Sequence, residues 1–238
     1  MRKPVPTRKL LPVYVFVLIG CICVAHFGSQ AVTTMVETAP IEGRTCIIVD
    51  AGHGGIDGGA TSCTGVLESQ FNLEIALKLN DLLHFMGYET KMVRTSDTSI
   101  YTEGNTIASQ KVSDLKERVK IVNSTENAIL ISIHQNTYPD SRYSGAQVFY
   151  ANDEFSKILA KEVQDAFKKT LNPESKRQSK PSDGIYLMQH ISRPGILVEC
   201  GFISNPEEES YLRSGDYQKK LCSVIASSLS SFLKQQNM

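Results

Sequence analysis

The chain has 238 residues, 25 Lys+Arg against 25 Asp+Glu, and 41% hydrophobic residues. That length accommodates one sizeable domain plus an appendage, and the composition excludes wholesale disorder. A formal net charge of zero lacks the basic excess of a nucleic-acid binder, and the absence of Trp argues against a broad Trp-lined carbohydrate platform.

Arg2, Lys3, Arg8 and Lys9 precede an apolar run from Leu10 to Phe27, broken only by Pro12 and His26. A basic start before about 18 apolar residues lies between a long signal-peptide core and a transmembrane helix. The positive-inside rule keeps the basic start in the cytoplasm and sends the residues after about 30 outward. Residues 1–31 therefore read as a signal peptide or membrane anchor, with an extracytoplasmic location for the rest. Ser29-Gln30-Ala31 offers a cleavage site, and retention as an anchor is equally compatible. Leu18-Ile19-Gly20-Cys21 also matches a lipoprotein box, although the apolar run continues past it. Residues 32–44 read as a linker and 45–238 as the catalytic domain.

The cysteines are Cys21, Cys23, Cys46, Cys63, Cys200 and Cys222. None is spaced C-x-x-C, which argues against a zinc ribbon or a thioredoxin-like site. The last four could pair in an exported domain; free buried thiols are the preferred reading.

From Cys46 onward, strands and helices alternate. Cys46–Asp50 is a short β-branched run typical of a buried parallel strand, succeeded by a Gly-rich turn over 51–59. Phe71, Ile75, Leu79, Leu82, Leu83 and Met86 predict an amphipathic helix over 70–86, stopped by Gly87. Tyr88–Val93 reads as a strand, 95–113 as a polar loop, and Asp114 as the cap of a helix through Val122. Ala128–Ile133 and Gly145–Tyr150 read as strands, 154–171 as a helix, and 172–184 as a charged loop. Ile185–Met188 and Ile196–Cys200 complete the strands. A short helix starts at Asn205-Pro206, and Asp216 caps a last helix to about Leu233. This alternation predicts an α/β domain with a mostly parallel sheet and helices on both faces.

Ligands of open α/β sheets sit beyond the carboxyl ends of the strands. There His53 comes after the first strand, His134 comes after Ile133, Glu199 ends a later strand, and Glu68 lies just before a helix. Two His and one carboxylate with an open position are the ligand set of a catalytic zinc site, and a further glutamate could serve as base. The spacings of 15, 66 and 65 residues form no local zinc signature. Each residue also has a plain alternative: His53 as a turn residue, His134 as a core histidine, Glu68 as a helix-start acid. Glu199, inside Ile-Leu-Val-Glu-Cys-Gly-Phe, is costly to bury without a partner. Gly52-His-Gly54-Gly-Ile-Asp57 fails the dinucleotide fingerprint, because Asp stands where its third Gly belongs.

These residues fall in the segments Ile48-Val-Asp-Ala-Gly-His-Gly-Gly-Ile-Asp57, Glu68, Ser132-Ile-His-Gln-Asn136 and Val198-Glu-Cys-Gly-Phe-Ile-Ser-Asn205. In that order, over about 45–235, they resemble the zinc-dependent N-acetylmuramoyl-L-alanine amidases. The resemblance implies one Zn2+ held by His53, Glu68 and His134, Glu199 as catalytic glutamate, and Asn136 as a substrate-orienting or ligand-supporting residue. Ala51 stands where many members have Pro. Ser144–Tyr150 and Gly184–Gln189 add a likeness to the germination-specific, spore-cortex branch. That branch implies cleavage between the lactyl group of muramic acid and L-alanine in peptidoglycan. It also implies muramic-lactam formation by a separate deacetylase, an activating sporulation protein as a possible partner, and action in the cortex-facing intermembrane space. The alternatives are a stem-peptide carboxypeptidase and a non-catalytic module binding peptidoglycan or a partner.

Overall fold

Apolar side chains two residues apart divide each central strand between two cores. Ile47, Val49 and Ala51 face one core and Ile48 the other; Ile129, Ile131 and Ile133 oppose Leu130; Ile196, Val198 and Cys200 oppose Leu197. Such double-sided apolar runs are what a sheet covered on both faces requires. The structure, a computed structural model, describes residues 45–236.

The elements in order are β1 (Cys46–Ala51), α1 (Glu68–Phe85), β2 (Glu89–Met92), α2 (Ile107–Ser124), β3 (Ala128–Asn136) and β4 (Gln147–Tyr150). They continue with α3 (Glu154–Thr170), β5 (Lys180–Pro181), α4 (Tyr186–His190), β6 (Gly195–Phe202), α5 (Pro206–Arg213) and α6 (Gly215–Gln235). The sheet order is β2-β1-β3-β6-β4-β5. The first four are parallel, and β4 runs antiparallel to β6 with β5 parallel to β4. The larger core lies under α1, α3, α5 and α6, and the smaller under α2 and α4. The expected α/β class, with a mostly parallel sheet and helices on both faces, is the observed one. The chain enters at the foot of β1, where the Cys46 amide bonds to the Asn127 carbonyl.

Helix ends obey their local chemistry. α1 buries Phe71, Ile75, Leu79 and Leu83 along one stripe. It stops at Gly87, whose φ of 88° lets the chain turn out of the helix. α3 is capped by Asp153, whose side chain accepts from the Ser156 amide, and α5 by Asn205, with Pro206 in its first turn.

Four sequence expectations are corrected. The polar stretch 95–113 is not all loop: α2 begins at Ile107 behind a capping box made by Thr106 and Ser109. Asp114 therefore sits inside α2, where its carboxylate accepts from the Ile100 amide and from Arg118. Ile185–Met188 is not a strand, since Tyr186–His190 forms helix α4 with Leu187 and Met188 buried. β3 and β6 run on to Asn136 and Phe202, so His134 and Glu199 lie inside strands rather than after or at their ends. Glu68 opens α1 instead of preceding it.

Cys46, Cys63, Cys200 and Cys222 are free, and of these only Cys63 is exposed. Among the described residues no helix is long and apolar enough to cross a membrane. The readings placed on residues 1–44 lie outside the described residues.

Candidate metal centre

His134 and Glu199 are register partners on β3 and β6. By the alternation of side chains they share a face with Leu130 and Leu197, the α2/α4 side of the sheet. Asp50 and Ser132 occupy the same face one step below. At the rim the chain leaves β1 through Gly52 and His53. His53 has φ 61°, a left-handed conformation few non-glycine residues adopt.

Two buried arginines hold that turn. Arg94 donates to the carbonyls of Ala51 (2.8 Å), Gly52 (3.0 Å) and Ser69 (2.9 Å). Arg118, from α2, donates to the carbonyls of Ala51 (3.0 Å) and His53 (2.8 Å). It also pairs with Asp50 and, at 2.6 Å, with Asp114. Ser132 Oγ donates to the other Asp50 oxygen at 2.7 Å. Burial alone would raise the Asp50 carboxyl, but Arg118 and Ser132 outweigh it and hold Asp50 below its usual range. The observed left-handed backbone is thus fixed from underneath.

His53, Glu68 and His134 converge here, each offering a ligand atom within 4.8 Å of the others. Glu68 stands between the histidines: Oε2 lies 3.3 Å from His53 Nε2, and Oε1 lies 3.1 Å from His134 Nδ1. The Ala60 amide donates to Oε2 (3.0 Å), while the Gln135 amide (3.2 Å) and Asn72 Nδ2 (3.3 Å) donate to Oε1. The outer nitrogen of His53, Nδ1, is 2.9 Å from Asp57 Oδ2, the orienting contact common to metal-binding histidines.

Burial opposes a charge on His53, yet the bonds and charges of Glu68 and Asp57 win and raise it to about 9. Burial would likewise raise Glu68, and the two histidines override it, holding the carboxyl well below its ordinary range. Glu199 has no such compensation. Burial, opposed by the His134 charge and reinforced by Glu68, pushes it up to about 7, and its buried Oε2 has no hydrogen-bond partner among the described residues.

The donor set fits a divalent metal. Two ligands each about 2.0–2.1 Å from a tetrahedral zinc stand about 3.3 Å apart, close to both His–Glu separations. Asn136 ends β3 two residues beyond His134, past a register irregularity, and its carbonyl accepts from the Ile203 amide at 2.9 Å. Sequence reasoning brings His53, Glu68, His134 and Glu199 to one rim but overlooks Asp57, Arg94 and Arg118. Asp57 has a usable signal, four residues after His53 in a turn.

A cleft of about 280 Å³ opens beside the cluster. Its lining includes Gly52, His53, Asp57 and His134 beside the cluster, Lys111 and Leu115 of α2, and Gly184–Leu187.

Gly52 is required for space rather than conformation. A Cβ there would lie 2.1 Å from His134 Nε2 and 2.2 Å from Cε1. Gly52→Ala will displace the imidazole, and metal affinity measured against a chelator will fall about 10- to 100-fold. Affinity within a factor of two of wild type would refute this packing.

The sequence matches the N-acetylmuramoyl-L-alanine amidase family over residues 47–231. It is 41% identical over 189 residues to the germination-specific N-acetylmuramoyl-L-alanine amidase of Bacillus subtilis, covering 78% of each protein. The structure of the CwlD amidase from Clostridioides difficile, solved in complex with the GerS lipoprotein, aligns with a TM-score of 0.77 at 37% identity. That alignment covers 80% of this chain and 99% of the other. A second N-acetylmuramoyl-L-alanine amidase, from Clostridium difficile 630, aligns at TM-score 0.70 and 28% identity over 80% of this chain and 97% of that one. The chain belongs to the N-acetylmuramoyl-L-alanine amidase family.

Proposed function

We propose that this chain is a zinc-dependent amidase cleaving the bond between the lactyl group of muramic acid and L-alanine, with His53, Glu68 and His134 as ligands and Glu199 as general base. The observation that carries the reading is the His53–Glu68–His134 convergence with Glu199 beside it. A bound zinc would polarise the scissile carbonyl and lower the pKa of water toward ~7.

The protein's own groups do the rest. Asp57 fixes the His53 ring through Nδ1, and the Ala60 and Gln135 amides with Asn72 fix the Glu68 oxygens. Glu199 Oε2, buried and without a hydrogen-bond partner among the described residues, is suited to take a proton from the attacking water and give it to the alanine nitrogen. The products are a lactyl carboxylate and a peptide with a free N-terminal alanine. Asn136, at the rim, would orient substrate.

The likeness to the germination-specific relative supports a role in spore-cortex maturation, upstream of a separate deacetylase that completes the muramic lactam. A membrane-targeting start at residues 1–31, a linker over 32–44 and an extracytoplasmic site of action, in a spore former the cortex-facing intermembrane space, belong to the same reading. The C. difficile amidase in complex with a lipoprotein supports a protein partner here too.

Incubated with peptidoglycan and zinc, the purified chain should release peptides with a free N-terminal alanine, scored by mass spectrometry. If peptides stay attached to the glycan and only their carboxyl ends are trimmed, the bond has been misassigned.

A further inference from the structure

The cleft beside the metal cluster holds two cations that differ in what they have left to offer. Arg118 is buried, and its guanidinium is committed to Asp50, Asp114 and the carbonyls of Ala51 and His53. Lys111 is half-exposed and, among the described residues, makes one ion pair, 2.7 Å from Asp57 Oδ1. An ammonium has three donors, so two remain free to face the cleft. Asp57 is itself shared with His53 Nδ1, which keeps Lys111 close to the reacting centre. Ile185, Tyr186, Leu187 and Leu197 supply apolar surface to the same cleft. A narrow slot with one available cation suits a short peptide bearing a carboxylate.

We infer that Lys111 forms a carboxylate subsite for the stem peptide, reading the acidic residue next after L-alanine. This rests on the amidase reading and adds a direction to it. The glycan around the scissile bond is neutral, its lactyl carboxyl being engaged in the amide, whereas the stem carries free carboxylates. The cation therefore marks the side of the cleft that receives the peptide. A charge-assisted contact at a half-exposed group selects a carboxylate over its neutral amide by about tenfold.

The test compares two soluble muramoyl-peptides, one whose second residue keeps a free α-carboxylate and one in which that group is an amide. Wild type, Lys111→Met and Lys111→Arg full-length proteins are assayed with zinc, and their metal content is measured. Wild type should favour the free carboxylate about tenfold in kcat/KM, chiefly through KM. Lys111→Met should lose that preference while keeping turnover of the amide substrate, and Lys111→Arg should retain it. A wild type that hydrolyses both equally overturns the subsite while leaving the amidase reading intact. An equal loss on both substrates in Lys111→Met also overturns it, because the effect would then run through Asp57 and His53. If wild type cleaves neither, even with sporulating-cell extract added to supply a partner, the amidase reading itself fails and the subsite with it.

Discussion

Glu68→Ala will empty the metal site, whereas Glu199→Gln will leave it filled and lose turnover by about 10²- to 10⁴-fold, the usual contribution of a positioned acid–base group. The contrast comes from where each carboxylate stands. Both Glu68 oxygens are enclosed by His53, His134, two backbone amides and Asn72. Removing that carboxylate takes away one of three converging donors, and the histidines retain no group between them. Glu199 is not one of the converging ligands, and its Oε2 is buried without a hydrogen-bond partner among the described residues. Gln has the same shape and cannot carry the proton. Bound zinc is measured by elemental analysis after gel filtration, and turnover by release of N-terminal alanine. Metal loss from Glu199→Gln together with metal retention in Glu68→Ala would exchange their roles.

Arg118→Met should be the most destabilising single change near the site. It leaves Asp50, 1% exposed, as a buried charge with Ser132 as its sole remaining side-chain partner among the described residues. Breaking a buried pair in this way costs about 3–5 kcal/mol, which for a domain of this size lowers the melting temperature by roughly 10 °C. It also releases the His53 carbonyl, so zinc affinity should fall alongside stability. Asp50→Asn combined with Arg118→Met should be less damaging than the two single losses added together, because the stranded charge is gone. Thermal melts of the three variants decide it; strict additivity, or an Arg118→Met melt within about two degrees of wild type, would mean that the pair carries little.

The central sheet is readable because its strands are apolar on both faces and bounded by turn residues, and the cluster is readable because β1, β3 and the first turn of α1 bring its residues to the carboxyl side of the sheet. The first half of α2 is not. Its buried residues are Ser113, Arg118 and Val122, while Ile107 and Val112 are exposed, so hydrophobic periodicity points away from the face that packs. α4 fails for the opposite reason: a five-residue helix whose apolar part is only Tyr186-Leu187-Met188 carries too few turns to distinguish helix from strand. Arg94 and Arg118 act through backbone carbonyls, and a sequence shows nothing of which carbonyls fold beneath a given arginine. Asp57 differs, since its partner is local and the His53-to-Asp57 spacing can suggest the pairing.

β1 carries the chain from its point of entry at Cys46 up to the turn holding His53. Anything tethered upstream is therefore joined to the domain at the base of the sheet. Held at a membrane by the proposed anchor, the enzyme would work at arm's length. Fully extended, the linker over 32–44 adds at most roughly 45 Å of reach, so only a thin shell of wall next to that membrane would be open to trimming, and lengthening the linker would deepen it.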